Sequence, residues 1–304
     1  MTAPRGRAAG TLVDVTIPDA EPDLRAPRLA PTGVGPADAP GLVLQAGNAR
    51  LAVSAAAGGR MSSFRLGDEE LLVTSGQDAI HWGCFPMVPF AGRVRDGRFT
   101  FAGRDHRLPR TMPPHAIHGV GLDGPWEILD DRTLATELGA GWPFGGRAVQ
   151  RFELEPDHLT ITLELHAREP MPGAVGWHPW FRRRLESADA RIVLEAGAML
   201  RREPDGIAGR ERIAPTAGPW DDCFTDLRTP PAIEWPGVLR LEIDSTCQFW
   251  VVFDEEPQGI CVEPQTEPPN ELNHEPHVVL PGAPLVETMT WRWWRPDAGG
   301  PGSA

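Results

Sequence analysis

Five side chains in this 304-residue sequence have the types and settings to move protons or grip hydroxyl groups. His178 sits in Ala-Val-Gly-Trp-His-Pro-Trp-Phe (174–181). Pro179 biases it toward extended backbone and away from a helix, so the imidazole is expected at a strand end or tight loop, between flat tryptophan rings. A titratable ring with aromatic walls suits a carbohydrate site; a half-buried histidine packed among tryptophans is the plainer alternative. Glu263 follows the apolar run Ile260-Cys261-Val262 and is held extended by Pro264. A carboxylate closing a buried strand is costly unless hydrogen-bonded or used in chemistry. Arg93 follows Ala91-Gly92 in the irregular stretch 83–101, where its planar fork of donors could hold vicinal hydroxyls or be solvated beside a turn. His118 ends His-Ala-Ile-His (115–118); histidines three apart on an extended segment point to opposite faces, which argues against a shared metal. Asp221, in Trp-Asp-Asp-Cys-Phe (220–224), reads as a paired-acid turn, either plain surface or an acceptor for hydroxyls.

What is missing narrows the chemistry. The chain has no lysine and no tyrosine, which excludes a Schiff base, a lysine base and a phenol acid. It contains no G-x-S-x-G, H-E-x-x-H or P-loop pattern. Gly119–Gly124 formally matches the dinucleotide pattern G-x-G-x-x-G. No strong strand precedes it, and the Pro-Trp-Glu-Ile-Leu that follows reads as a strand rather than a helix start, so the match is set aside. No metal and no cofactor are expected. The net charge of −13 disfavours nucleic acid and anionic membranes as partners. No apolar run approaches a membrane span. No secretory signal is evident, and four scattered cysteines fit reduced thiols, so the expected location is cytoplasmic.

The elements that must position these residues are strands. Leu159, Ile161, Leu163 and Leu165 alternate with polar residues, and Glu155–His158 turns the chain back on Val149–Leu154 as a hairpin. Leu239–Ile243 and Met289–Trp293 also alternate. Phe249–Phe253 is continuously apolar, as in a strand covered on both faces. Gly41–Gln45 and Leu51–Ser54 flank a turn at 47–48; Met61–Leu66 and Glu70–Val73 follow Gly58-Gly59. Helical periodicity is scarce, and 33 glycines and 33 prolines are spread along the chain. The expected fold is all-β, a large antiparallel β-sandwich forming a single domain over residues 41–296. Residues 1–40 are read as a loosely ordered Pro/Ala/Gly-rich arm and 297–304 as a flexible tail.

Taken together, several stretches resemble the aldose 1-epimerase (galactose mutarotase) family. They are Gly58-Gly59, Phe-Pro-Met-Val-Pro-Phe-Ala-Gly-Arg ending at Arg93, His118-Gly119, His178-Pro179-Trp180-Phe181, Asp221 ahead of Phe224, and Glu263-Pro264-Gln265-Thr266. The resemblance runs from about Gly41 to about Trp294. It implies a β-sandwich that interconverts the α and β anomers of an aldohexose without a cofactor. It further implies Glu263 as general base, His178 as general acid at the ring oxygen, His118 as a second histidine there, and Arg93 and Asp221 as hydroxyl-binding partners. The chain departs from the family's pattern at Gly92, commonly Asn, at Trp180, usually Tyr, and at Arg182-Arg183, often Asn-Leu. The extra arginines leave room for a second substrate class. A hexose-6-phosphate 1-epimerase would use Arg182, Arg183 or Arg95 for phosphate. The same residues also admit a non-catalytic carbohydrate-binding sandwich, or a metal hydrolase built on His118, His178 and Glu263. The expected partner is a small-molecule sugar, with the chain a monomer or homodimer.

Overall fold

The computed structural model describes residues 41–295; the expected arm, the tail and the domain's last residue lie outside them. Regular structure is almost entirely strand, with short 3₁₀ turns at Arg95–Gly97 and Glu271–Asn273. Two antiparallel sheets dominate, one of eleven strands and one of eight. The larger runs in the order Gly41–Ala46, Ala49–Ser54, Arg60–Leu66, Cys84–Met87, Gly176–Arg182, Gly259–Gln265, Phe249–Phe253, Asp221–Leu227, Ala196–Arg202, Ala208–Ile213, with Glu69–Glu70 paired to Arg60–Leu66. The expected hairpin, Arg147–Leu154 with His158–His166, lies in the smaller sheet beside Leu285–Trp294.

The sheets pack face to face because each turns one alternate set of residues inward. Trp177 and Phe181 from the larger sheet meet Phe152, Ile161, Leu241 and Trp291 from the smaller. Phe181 and Phe64 lie 4.9 and 5.5 Å from the Trp291 ring, centroid to centroid. The Trp177 indole donates to Gln150 Oε1 across the interface at 3.1 Å, and Gln150 Nε2 donates to the Gly59 carbonyl at 2.8 Å.

Several local expectations change. His178 stands mid-strand in Gly176–Arg182 rather than at a strand end, and Trp177 faces the core, so it is no wall of the imidazole. Glu263 lies inside Gly259–Gln265 because Pro264 fits the extended backbone without ending the strand. Asp221 opens a strand instead of forming a turn. Phe249–Phe253 alternates between half-buried and buried residues, so only one face is fully covered. Glu69–Glu70 is shorter than the strand expected over 70–73, and Pro125–Leu129 yields only the two-residue strand Glu127–Ile128.

Candidate active site

The register of the larger sheet places the chemistry. Gly176 pairs with Gln265 and Trp180 with Cys261, which sets His178 directly opposite Glu263. Phe85 pairs with His178 on the other side; Val251 pairs with Glu263, and Cys223 with Val251. One transverse row therefore reads Phe85, His178, Glu263, Val251, Cys223. The next reads Trp180, Cys261, Phe253, Asp221. Both rows point away from the inter-sheet core. They floor a cavity of about 140 Å³, well below the roughly 300–1,000 Å³ of clefts that hold drug-sized ligands.

Two loops complete it. Arg93–Val94 pairs with Ala116–Ile117, and the His118 amide donates to the Gly92 carbonyl at 3.0 Å, so Arg93 and His118 arrive together. His118 has φ 56° and Gly119 φ 83°. A Cβ on Gly119 would lie 2.0 Å from the Val88 carbonyl oxygen, so only glycine allows this approach. On the opposite wall, Gly206 and Ala208 come from the hairpin joining Ala196–Arg202 to Ala208–Ile213. Arg95 latches that hairpin, donating to Asp205 at 2.7 Å and Glu203 at 2.5 Å.

All five expected residues (Arg93, His118, His178, Asp221 and Glu263) line this cavity. His178 Nε2 lies 3.2 Å from Glu263 Oε1, with both side chains buried. The His178 ring stacks on Phe85 at 4.8 Å and on Trp180 at 5.7 Å, and His118 meets it edge-on at 4.8 Å. Arg93 donates to Asp221 Oδ2 at 3.4 Å and to the Gly206 carbonyl at 3.3 Å.

Electrostatics drive the ligand-free pair toward neutrality. Burial pushes the Glu263 carboxyl well above its usual range, with Asp221 adding to the rise and Arg93 opposing it. Burial likewise pulls His178 down to about 3, helped by His81, Arg60 and Arg93. His118 is also held well below its ordinary value, by burial and then by His178, Arg93 and His81. Both shifts favour a carboxylic acid beside a neutral imidazole, the reverse of the resting charges implied by a Glu263 base and a His178 acid. The Nδ1 atoms of both histidines are buried without a protein partner.

The arginines considered for phosphate are engaged elsewhere. Arg183 donates to the carbonyls of Glu256 and Asp254, Arg182 to that of Leu72, and Arg95 to the hairpin carboxylates. Among the described residues lining the cavity, Arg93 is the one arginine. The expected metal trio is not the one that converges: His178, Cys261 and Glu263 bring donor atoms within 4.8 Å of one another, and His118 is not in that group. Burial raises both the Cys261 thiol and the Glu263 carboxyl, so a metal would have to displace their protons.

Residues not singled out from the sequence complete the site: His81, Met112, Phe253 and the Gly206–Ala208 turn line the cavity, and Phe85 backs the His178 ring. Phe85 was legible in principle, since it precedes Pro86 in a block already marked as irregular. His81, held by Asp78 at 2.6 Å, carries no local signal.

A sequence profile of the aldose 1-epimerase family matches residues 40–285. This chain belongs to the aldose 1-epimerase family, a family of isomerases. The Escherichia coli (strain K12) protein YphB is 27% identical over 245 residues, covering 69% of this chain and 83% of that protein. The structure of galactose 1-epimerase from Lactobacillus acidophilus NCFM superposes with a TM-score of 0.70 at 17% identity, covering 83% of this chain and 93% of that one. A galactose mutarotase-like protein from Clostridium acetobutylicum gives 0.72 at 16% identity, covering 83% and 94%. At these identities the two structures speak to the fold, and they agree with the antiparallel sandwich. Among the described residues no helix is long and apolar enough to cross a membrane.

Proposed function

We propose that this family member is an aldose 1-epimerase for an unphosphorylated aldohexose, with Glu263 and His178 as its acid–base pair. One observation carries the reading: a buried carboxyl and imidazole 3.2 Å apart on the floor of a small, aromatic-walled cavity. Changing an anomer requires the ring to open. A proton leaves the C1 hydroxyl, one reaches the ring oxygen, and the bond from C1 to that oxygen breaks. Rotation about C1–C2 and closure from the other face reverse the transfers. Both oxygens are bonded to the same carbon, so an acid and a base standing side by side can reach both.

The pair already holds the single proton this exchange needs. A sugar hydroxyl donating to Glu263 favours its carboxylate form, and the released proton then belongs on His178. The imidazolium so formed protonates the ring oxygen while the carboxylate removes the hydroxyl proton. The net charge of the pair stays at zero throughout, which suits a site that excludes water. Each well-placed acid or base contributes roughly 10²–10⁴ in rate. His118 is assigned beside the ring oxygen, and Arg93 and Asp221 to the remaining hydroxyls. An uncharged substrate is favoured because the cavity's arginine is already paired with Asp221.

Polarimetry on freshly dissolved α-D-glucose and α-D-galactose tests the reading, with Glu263→Gln alongside. Accelerated mutarotation that is lost in the variant supports it. Acceleration with glucose 6-phosphate alone moves the substrate to the phosphosugar class. Sugar binding without acceleration would make the chain a binding module and refute the catalytic assignment.

A further inference from the structure

Arg60 is a buried cation that the acid–base chemistry leaves unexplained. It opens the strand Arg60–Leu66 directly after Gly58-Gly59 and is 1% exposed. Its guanidinium donates to three carbonyls: Ala57 at 2.7 Å, Trp82 at 2.9 Å and Leu122 at 2.8 Å. Among the described residues no carboxylate lies within ion-pair range of it. A cation buried without a counter-ion is costly, and hydrogen bonds to three carbonyls would not by themselves require a charge.

Its placement is specific. Met61 pairs with Cys84, which puts Arg60 beside Phe85 in the transverse row that continues through His178 to Glu263. The guanidinium carbon lies 4.3 Å from the Trp82 ring centroid and 5.1 Å from that of Phe85. Phe85 in turn stacks on His178 with an interplanar angle of 20°. Cation, arene, imidazole and carboxyl therefore follow one another across four adjacent strands.

We propose that Arg60 is a positioning residue for the acid–base pair: it clamps Phe85 flat against His178 and sets a fixed positive charge behind the imidazole. The proposal rests on the catalytic reading of the pair given above. The charge opposes a second positive charge on His178, so the resting proton stays on Glu263. The imidazolium made during turnover is correspondingly the stronger acid toward the ring oxygen. Arg60 stays charged at neutral pH: burial lowers it to about 10, while Cys84, Asp123 and Asp78 raise it. The other titratable or charged groups facing His178 are His118, His81, Arg93, Glu263 and Cys261, whose thiol burial keeps protonated. Of these, His81, Arg93 and His118 stand on the cavity side, where bound sugar would intervene. Arg60 stands behind Phe85 and acts in both states.

The test reads His178 directly, by NMR of histidine-labelled protein without sugar, its resonances assigned by their loss in His178→Asn. In the wild type His178 should remain neutral from pH 8 down to pH 5. In Arg60→Met and Arg60→Gln its titration midpoint should rise by about one unit, in line with removal of a nearby like charge. Polarimetry on the same variants should show kcat down about tenfold with KM nearly unchanged, because Arg60 does not line the cavity. A folded variant with the wild-type midpoint overturns the proposal, even if its kcat has fallen, since that pattern means packing alone. Arg60→Lys, which keeps the charge, should keep the wild-type midpoint, and a midpoint raised in it as in Arg60→Met overturns the proposal. Because the midpoint is measured without substrate, it stands or falls apart from any mutarotase activity.

Discussion

Replacing Glu263 by glutamine should abolish mutarotation and, above pH 4.5, leave the protein more stable than the wild type. The Glu263 side chain is only 3% exposed, and its folded-state pKa is raised well above the ordinary 4.5. The unfolded chain releases this proton near pH 4.5 while the folded chain keeps it. The group's stabilising contribution is thus fully present below 4.5 and is lost as pH rises toward the folded pKa. The loss amounts to about 1.4 kcal/mol per pH unit, with a ceiling of about 3 kcal/mol at pH 7 if the proton is retained that far. Glutamine has the same shape and no proton to lose.

His178 runs the other way. Its folded pKa is lowered from 6.5 to about 3, so its contribution is full above 6.5 and is lost as pH falls toward 3. Between 4.5 and 6.5 the two slopes therefore oppose each other for as long as the folded Glu263 keeps its proton. Urea unfolding of wild type and Glu263→Gln at pH 4.5, 5.5, 6.5 and 7.5 measures the difference free of other titrating groups. That difference should widen steadily with pH, while polarimetry shows a loss of roughly 10²–10⁴ in rate. A difference that stays constant with pH would mean Glu263 is already ionised in the folded protein, and the resting protonation argued above would be wrong.

The remaining predictions use the same assays. His178→Asn should lose activity to a similar degree, and its stability advantage should appear below pH 6.5 and grow by about 1.4 kcal/mol per unit as pH falls; an advantage confined to alkaline pH would contradict this. Asp221→Asn removes both a hydroxyl acceptor and the partner of Arg93, so KM should rise about tenfold, or roughly 1.4 kcal/mol, and an unchanged KM would exclude Asp221 from binding. Gly92→Ala places a Cβ 2.7 Å from Pro269 Cγ at a φ of +66°. It should cost about 1–3 kcal/mol by urea unfolding, and wild-type stability there would show that the Pro269 wall yields.

Much of this site was legible because its residues fall in short, distinctive settings. His178 and Glu263 each sit beside a proline in an apolar run, and His118 and Arg93 each adjoin a glycine that the backbone requires. What sequence could not supply is register. The opposition of His178 and Glu263 depends on strands 85 residues apart pairing as Gly176 with Gln265 and Trp180 with Cys261, and no local pattern encodes that. The same holds for Arg60 and for the Gly206 turn, which reach the pair's surroundings only through sheet order and a hairpin latch. The arginines at 95, 182 and 183 misled for a related reason: a cation near a motif says nothing about which carbonyls or carboxylates will claim it.

The mistaken expectation for Phe249–Phe253 shows how core and pocket come to look alike in a sequence. That strand, beneath the cavity, is fully covered by the opposing sheet on one face and only partly covered by the cavity's own walls on the other. In Gly176–Arg182 every residue but the last is buried, yet Trp177 and Phe181 are buried by packing, whereas His178 and Trp180 are buried by position around a space. Composition reports only that the run is apolar. The two kinds of burial separate by parity once the register is known. Positions 177 and 181, 260 and 262, and 250 and 252 face the core, where truncation should unfold the protein. Positions 178 and 180, 263, and 251 and 253 border the cavity, where substitution should change rate or affinity first. An alanine scan along these three strands should therefore alternate, residue by residue, between lost stability and lost activity, and a scan without that alternation would mean that the cavity is not where the chemistry occurs.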